Sequence, residues 1–149
     1  MANEASVTSG LRIKSGNLSY QPPASTFNAD VAGQNGPTPG ALTVSTAGTD
    51  VSLSQLAGGG GFCELTNYGA SIGDADPSHY VEYGIWSTSA LIFYPLGKIL
   101  PGETYVIRLS DNILMQEPGT GTGPASGTTT FRLKAHNSAC TARVNAFDK

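Results

Sequence analysis

The sequence predicts an all-β protein, a jelly-roll-like sandwich or barrel of about eight short strands. Three observations predict it. Apolar and polar residues alternate over short runs, as in Leu11-Arg12-Ile13-Lys14 and Phe131-Arg132-Leu133-Lys134-Ala135, and a period of two marks a half-buried strand. The 19 glycines and 9 prolines punctuate the chain into short segments. No stretch carries a convincing helical pattern. A chain of 149 residues fits one domain, large enough to bury a core without staples.

In chain order, residues 6–14 read as a strand, and Asn17-Leu18-Ser19-Tyr20 extends the pairing after a Ser15-Gly16 turn. Residues 21–40 then hold Gln21-Pro22-Pro23, Phe27 and a Gly/Pro-rich run. Proline removes donors and glycine permits positive φ, so this is an irregular segment, either a surface loop or an arm lying across a neighbouring subunit. Residues 1–40 are therefore expected to form an N-terminal strand-and-arm region and residues 41–149 a single β-sandwich body. In the body Leu42 and Val44 alternate, then Val51 and Leu53, with Leu56 closing the unit. Phe62 and Leu65 break strict alternation within residues 62–67, which predicts a bulge or burial on both sides. Strands follow at 79–86 and 91–96. Leu100-Pro101-Gly102-Glu103 makes a turn, and residues 104–109 make a strand with Tyr105, Ile107 and Leu109 on its core face. A short strand ends at Met115-Gln116-Glu117, a low-complexity loop runs over 117–129, and two last strands cover 131–135 and 140–144.

Composition excludes several classes. Charged residues are 13% of the chain and the net charge is −3, so no basic field draws in nucleic acid. The start, MANEASVTSG, has neither the basic nor the apolar region of a signal peptide, and Ala90-Leu91-Ile92-Phe93-Tyr94 is too short to span a bilayer. The expectation is a soluble protein made in a cytosol, with no membrane partner. Its two cysteines, Cys63 and Cys140, are expected as buried free thiols, a single bridge being the alternative. The glycine run before Phe62 lacks the Lys-Ser/Thr pair of a phosphate-binding loop.

Catalytic constellations are weak. The two histidines, His79 and His136, belong to no metal-ligand pair, and no histidine lies near Glu103, although the Pro-Gly-Glu turn resembles that of cupin-type enzymes. Asp74 and Asp76, with Asn67 or Glu82, are candidate calcium oxygens, but such aspartates commonly bond their own turn. There is no G-x-S-x-G elbow, and pairing of Cys63 or Cys140 with His79 or His136 is not implied by proximity in sequence. The acidic residues cannot be paired into a glycosidase site from sequence. Trp86 with Tyr80, Tyr83, Phe93 and Tyr94 is a candidate sugar platform, though aromatic residues in strands more often fill a core. The reading is no catalytic residue, no metal and no cofactor.

The segments LRIKSGNLSY, LTVSTAGTDVSLSQL, CELTNYG, HYVEYGI, FYPLGKILPGETYVIRL and FRLKAHNSACTARV occur in this order. Together they resemble a family of small all-β structural proteins of tailed bacteriophages. Its members show an asparagine-centred turn, "NYVEIG"-like and "L-K-PGE…RL" segments, and a C-terminal strand with a small-residue A-C element. The chain departs from that pattern by extra residues between Asn67 and Tyr80 and after Glu117. The resemblance implies a virion protein, a capsid cement or decoration protein bound between capsomers. Its implied partners are the major capsid protein and copies of itself, as a homotrimer, on the capsid surface and in the host cytoplasm during assembly. The expected interface residues are Leu18, Tyr20, Phe27, Pro37, Pro39 and Trp86. The alternative function is a tail- or fibre-associated carbohydrate- or receptor-binding module.

Overall fold

The computed structural model describes residues 5–29, 36–53, 55–56, 60–88, 90–109 and 129–148, and every regular element among them is a β-strand. The expected strand at 115–117 and the low-complexity loop before Thr129 lie outside the described residues. The chain divides into two compact units, Met1–Ala32 and Gly33–Lys149.

The first unit is a ribbon of two ladders. Strand β1 (Ala5–Ser9) pairs antiparallel with β4 (Ser25–Ala29), and β2 (Ile13–Ser15) with β3 (Leu18–Tyr20). Ser15 faces Leu18 across a two-residue loop, Gly16-Asn17. Gly16 sits at φ 54°, which the first position of such a hairpin loop requires. Directly opposed residues share a face of a ladder. Val7 opposes Phe27 on one face of β1–β4, and Thr8 opposes Thr26 on the other, their hydroxyls 2.8 Å apart. Likewise Ile13 opposes Tyr20, and Lys14 opposes Ser19. Each ladder thus has an apolar side and a polar side.

Among the described residues the second unit holds eight strands: β5 (Thr38–Val44), β6 (Thr49–Asp50), β7 (Gly60–Asn67), β8 (Val81–Ser87), β9 (Ile92–Ile99), β10 (Thr104–Arg108), β11 (Thr129–Ala135) and β12 (Cys140–Asp148). They form two four-stranded sheets, ordered β10-β7-β12-β5 and β6-β11-β8-β9. The pairs β5–β12, β6–β11, β7–β10 and β8–β9 are all antiparallel, so each strand meets the one equally far from the β8–β9 tip. The body is one long hairpin rolled into two layers, the jelly-roll arrangement. The sheets do not close on each other, so the sandwich form of the expectation holds and the barrel form does not. Of residues 21–40, expected to be irregular, 25–29 form strand β4 paired with β1, and 38–40 are the first residues of β5 and pair with β12.

The inner faces supply the core. Val44, Cys63, Leu65, Val81, Ile99, Phe131, Leu133 and Val144 are fully buried, as period-two alternation requires. Val51, Leu53 and Leu56 are buried too, although β6 stops at Asp50; Val51 is tied in by its N–H to the Phe131 carbonyl, 2.9 Å. Phe62 is buried on the opposite side of β7 from Cys63 and Leu65, and the register with β12 slips by one residue between Phe62 and Gly60. Burial on both sides and a bulge therefore occur together.

A second bulge bends the β8–β9 pair. Tyr83 opposes Gly97 and Gly84 opposes Pro95, leaving Leu96 as the extra residue. A Cβ on Gly84 would run into the carbonyl oxygen of Tyr94, so close backbone approach fixes glycine here.

Trp86 is where the core expectation departs. It opposes Thr130, on the outer side of its sheet, and is half-buried under the Arg132 guanidinium, 4.0 Å above the ring. Phe131 fills the core instead. Phe131→Ala is expected to cost about 3–5 kcal/mol. Trp86→Ala is expected to cost less, about 1–2 kcal/mol, for a partly exposed cation–π contact. Urea unfolding followed by circular dichroism checks the order; the reverse order contradicts this placement.

Candidate functional site

The end of the sandwich formed by the β5–β6, β7–β8, β9–β10 and β11–β12 connections gathers both histidines. Its centre is Asn67, the last residue of β7, at 0% exposure. Its Nδ2 donates to the carbonyls of His79 and Ile99, each at 3.0 Å, and its Oδ1 accepts the Gly69 N–H at 2.8 Å. Its own N–H donates to the Glu103 carbonyl and its carbonyl accepts the Gly102 N–H. One buried amide therefore satisfies both donors and ties β7 to the end of β9 in the other sheet.

The Leu100-Pro101-Gly102-Glu103 segment is a type II turn. Proline sits at the second position, Gly102 has φ 82°, and the Glu103 N–H closes onto the Leu100 carbonyl. The Glu103 carboxylate turns back to accept the Leu100 N–H at 2.8 Å and lies near the Tyr105 hydroxyl. Its negative charge, with a smaller contribution from burial, pushes the Tyr105 phenol above its ordinary range. The turn uses its carboxylate to cap itself and joins the two sheets.

Asp74 organises the β7–β8 loop. It accepts the N–H groups of Ala70 and Asp76 and the Nδ1 side of the His79 ring. Gly69 is at φ 76°, and a Cβ there would strike the Asp74 carboxylate. Asp76 in turn accepts the Ser78 N–H. The amides of Asp76 and Ala70 hold the Asp74 carboxyl below its usual range, and the Ser78 amide does the same for Asp76. These oxygens are engaged by their own loop, the turn role weighed against calcium. Among the described residues no group of three or more His, Cys, Asp or Glu side chains is placed to hold a metal ion.

Beneath this loop Cys140 donates its S–H toward the carbonyls of His79 and Ser138, both at 3.4 Å, and not to an imidazole. Burial, helped by the Asp74 charge, pushes its thiol up. Cys63 lies inside the sandwich and burial pushes it up to about 12. Both are free, protonated thiols, poor nucleophiles as placed. His136 stacks on Tyr80, ring centroids 4.4 Å apart, with Lys98 5.1 Å from the Tyr80 ring. The two histidines are held by different partners.

On the outer side of the second sheet, Arg132 grips Asp50 with two hydrogen bonds, 2.6 and 3.0 Å, and Thr130 adds a third to the same carboxylate. Desolvation raises the Asp50 carboxyl, but these bonds and the Arg132 charge outweigh it and hold it low. Arg132 lies between the Trp86 ring and the Gly48 turn, where a Cβ would meet its side chain. Trp86 therefore has a ring face occupied by the guanidinium, which makes it part of a surface staple.

The expected interface residues fall in separate places. Leu18, Tyr20 and Phe27 lie in the ribbon, 59%, 53% and 41% exposed. Pro37 and Pro39 are exposed at the start of the body, Pro39 on edge strand β5. Trp86 lies on the other sheet of the body. Sequence reading missed the exposure of Ile92, Tyr94, Leu96 and Tyr105, the last expected on a core face, because nothing local marks β9 and β10 as outermost strands. It also missed the Asp50–Arg132 pair, joined across 82 positions.

The fold and this site define a jelly-roll sandwich in which Asn67, Asp74 and Glu103 hold the loops at one end. Comparisons with known proteins found no match at a significant level, whether to a protein-family model, a curated protein or a solved structure. No described helix is long and apolar enough to cross a membrane.

The Asp74 geometry yields a pH prediction. A carboxyl whose folded pKa is depressed contributes its stabilisation above the unfolded value, about 3.8, and loses it as pH falls through the lower folded value. Unfolding free energies measured at a series of fixed pH values should therefore separate wild type from Asp74→Asn near neutrality and converge below that window. A constant gap between the two down to the lowest pH contradicts the assignment.

Proposed function

We propose that this chain is a virion structural protein, a cement or decoration subunit that stabilises a phage-type head by binding between capsomers. In this reading it acts through fit and valence, as a homotrimer attached to the major capsid protein. One observation carries the reading: residues 5–29 form a separate ribbon whose large apolar side chains lie on its surface. A two-stranded ribbon is marginal alone in water, so it gains its stability by completing itself on another chain. A rigid sandwich carrying such an arm joins neighbours through several modest contacts, and linked contacts multiply in strength. The order of motifs that resembles small phage structural proteins supports the same reading.

A second reading, a carbohydrate- or receptor-binding module of a tail or fibre, is favoured by the stacked Tyr80–His136 pair with His136 at the surface. Glycan-array binding that disappears in His136→Ala supports it.

The test of the first reading removes residues 1–32, at the boundary between the units. The shortened chain is expected to keep the melting behaviour of the sandwich while its binding to head particles falls at least tenfold in co-sedimentation. Undiminished binding, or no affinity of the full chain for particles, contradicts the proposal.

A further inference from the structure

The histidine-bearing end of the second sheet carries an outward cluster of charged and aromatic side chains. Directly opposed residues share a face of a sheet, and Glu82 on β8 opposes both Lys98 on β9 and Lys134 on β11. Their chain neighbours Val81, Ile99 and Ala135 are buried in the core, so this row faces outward. Tyr80 immediately precedes β8 and His136 immediately follows β11, and the His136 N–H donates to the Tyr80 carbonyl at 3.1 Å. Their rings stack with centroids 4.4 Å apart and 14° between planes. The Tyr80 hydroxyl meets His136 Nδ1 at 2.9 Å, and the Lys98 ammonium lies 5.1 Å from the Tyr80 ring. His136 and Lys98 are exposed, and Tyr80, Glu82 and Lys134 are half-buried.

We propose that this cluster binds a carboxylate-bearing sugar, a uronic or sialic acid unit of an acidic glycan. The proposal rests on the second reading above, glycan binding at Tyr80–His136, and adds the class of sugar. Charge complementarity names that class. The whole chain has a net charge of −3, yet in this row two lysines face one glutamate and leave a single positive charge in excess. Arg132, the next cation along β11, is already paired with Asp50. A carboxylate carries one negative charge and cancels that excess, whereas a phosphate, at about −1.5 to −2 near neutrality, overshoots it. A hydrogen bond from an ammonium to a carboxylate is also stronger than one to a neutral hydroxyl. The imidazole supplies the other half of the site. Tyr80 covers one of its faces, and the opposite face of this exposed residue packs on the apolar C–H side of a sugar ring. The Tyr80 stack and hydrogen bond set the tilt of that platform in advance, which lowers the cost of ordering it on binding.

The experiment uses the full chain on an array of acidic and neutral glycans. Each acid, trigalacturonic acid and sialyllactose included, is set beside its own methyl ester, which keeps the ring and removes the charge. At least one acid is expected to bind more tightly than its ester, and added salt to narrow the difference. Lys134→Gln is expected to weaken the acid by about two- to fivefold, the scale of one exposed ion pair, and to leave the ester unchanged. Lys98 is kept because it also packs on Tyr80. Glu82→Gln removes the competing carboxylate and is expected to tighten the acid by a similar factor. The opposite signs of these two changes separate a charge effect from damage to the fold, which weakens binding in both. Acids that bind no better than their esters, or acid binding untouched by both substitutions, overturn the proposal. Neutral glycans that then still bind, and are lost in His136→Ala, leave the second reading in place. An array with no bound glycan removes both.

Discussion

The arrangement of the body depends on one buried side-chain amide. Asn67 ends β7 in one sheet and donates to the end of β9 in the other, so the two layers are fastened where hydrophobic packing alone would leave their relative slide unspecified. Apolar burial is non-directional, whereas an amide with each donor matched to a carbonyl is satisfied in one geometry only. The same residue fixes the approach of the β9–β10 turn through Gly102 and Glu103, and the start of the β7–β8 loop through Gly69. With those positions set, Asp74 meets His79 and Tyr80 meets His136.

This use of polar groups has a functional consequence. At the histidine-bearing end, carboxylates accept backbone amides, burial keeps the Cys140 thiol neutral, and the imidazoles are engaged by an aspartate or a tyrosine. These side chains make the end rigid. The proposed role rests on such an end and on the ribbon of residues 5–29, where Leu18, Tyr20 and Phe27 are exposed.

Much of the fold was legible in the sequence. Alternation at Phe131-Arg132-Leu133-Lys134-Ala135 identifies β11 and its inward side, and the broken alternation at Phe62 and Leu65 marks a place where both sides of β7 are covered. The turns at Gly16 and at Pro101-Gly102 announce themselves because a positive φ at Gly16 and Gly102 favours glycine. What stayed hidden depends on partners far along the chain. Trp86 sits outside the core because it opposes Thr130, and nothing near position 86 reveals that register. Tyr94 and Leu96 alternate like core residues, yet β9 is outermost and they stay 51% and 62% exposed. The role of Asn67 was equally invisible, since a lone asparagine before Tyr68-Gly69 reads as a turn residue until the distant carbonyl of Ile99 is in place. Of the candidate interface, Leu18, Tyr20 and Phe27 are exposed on the ribbon, while Pro39 and Trp86 occupy different sheets of the body.

Amide hydrogen exchange on the wild-type chain and on Asn67→Asp tests the fastening most directly. The substitution keeps the shape but removes both Nδ2 donors and sets a carboxylate against two carbonyl oxygens. The Gly69 and Gly102 amides are expected to exchange as slowly as the core of β11 in the wild type, and faster by orders of magnitude in Asn67→Asp. Rapid exchange at those amides in the wild type, or equal protection in both proteins, would contradict it.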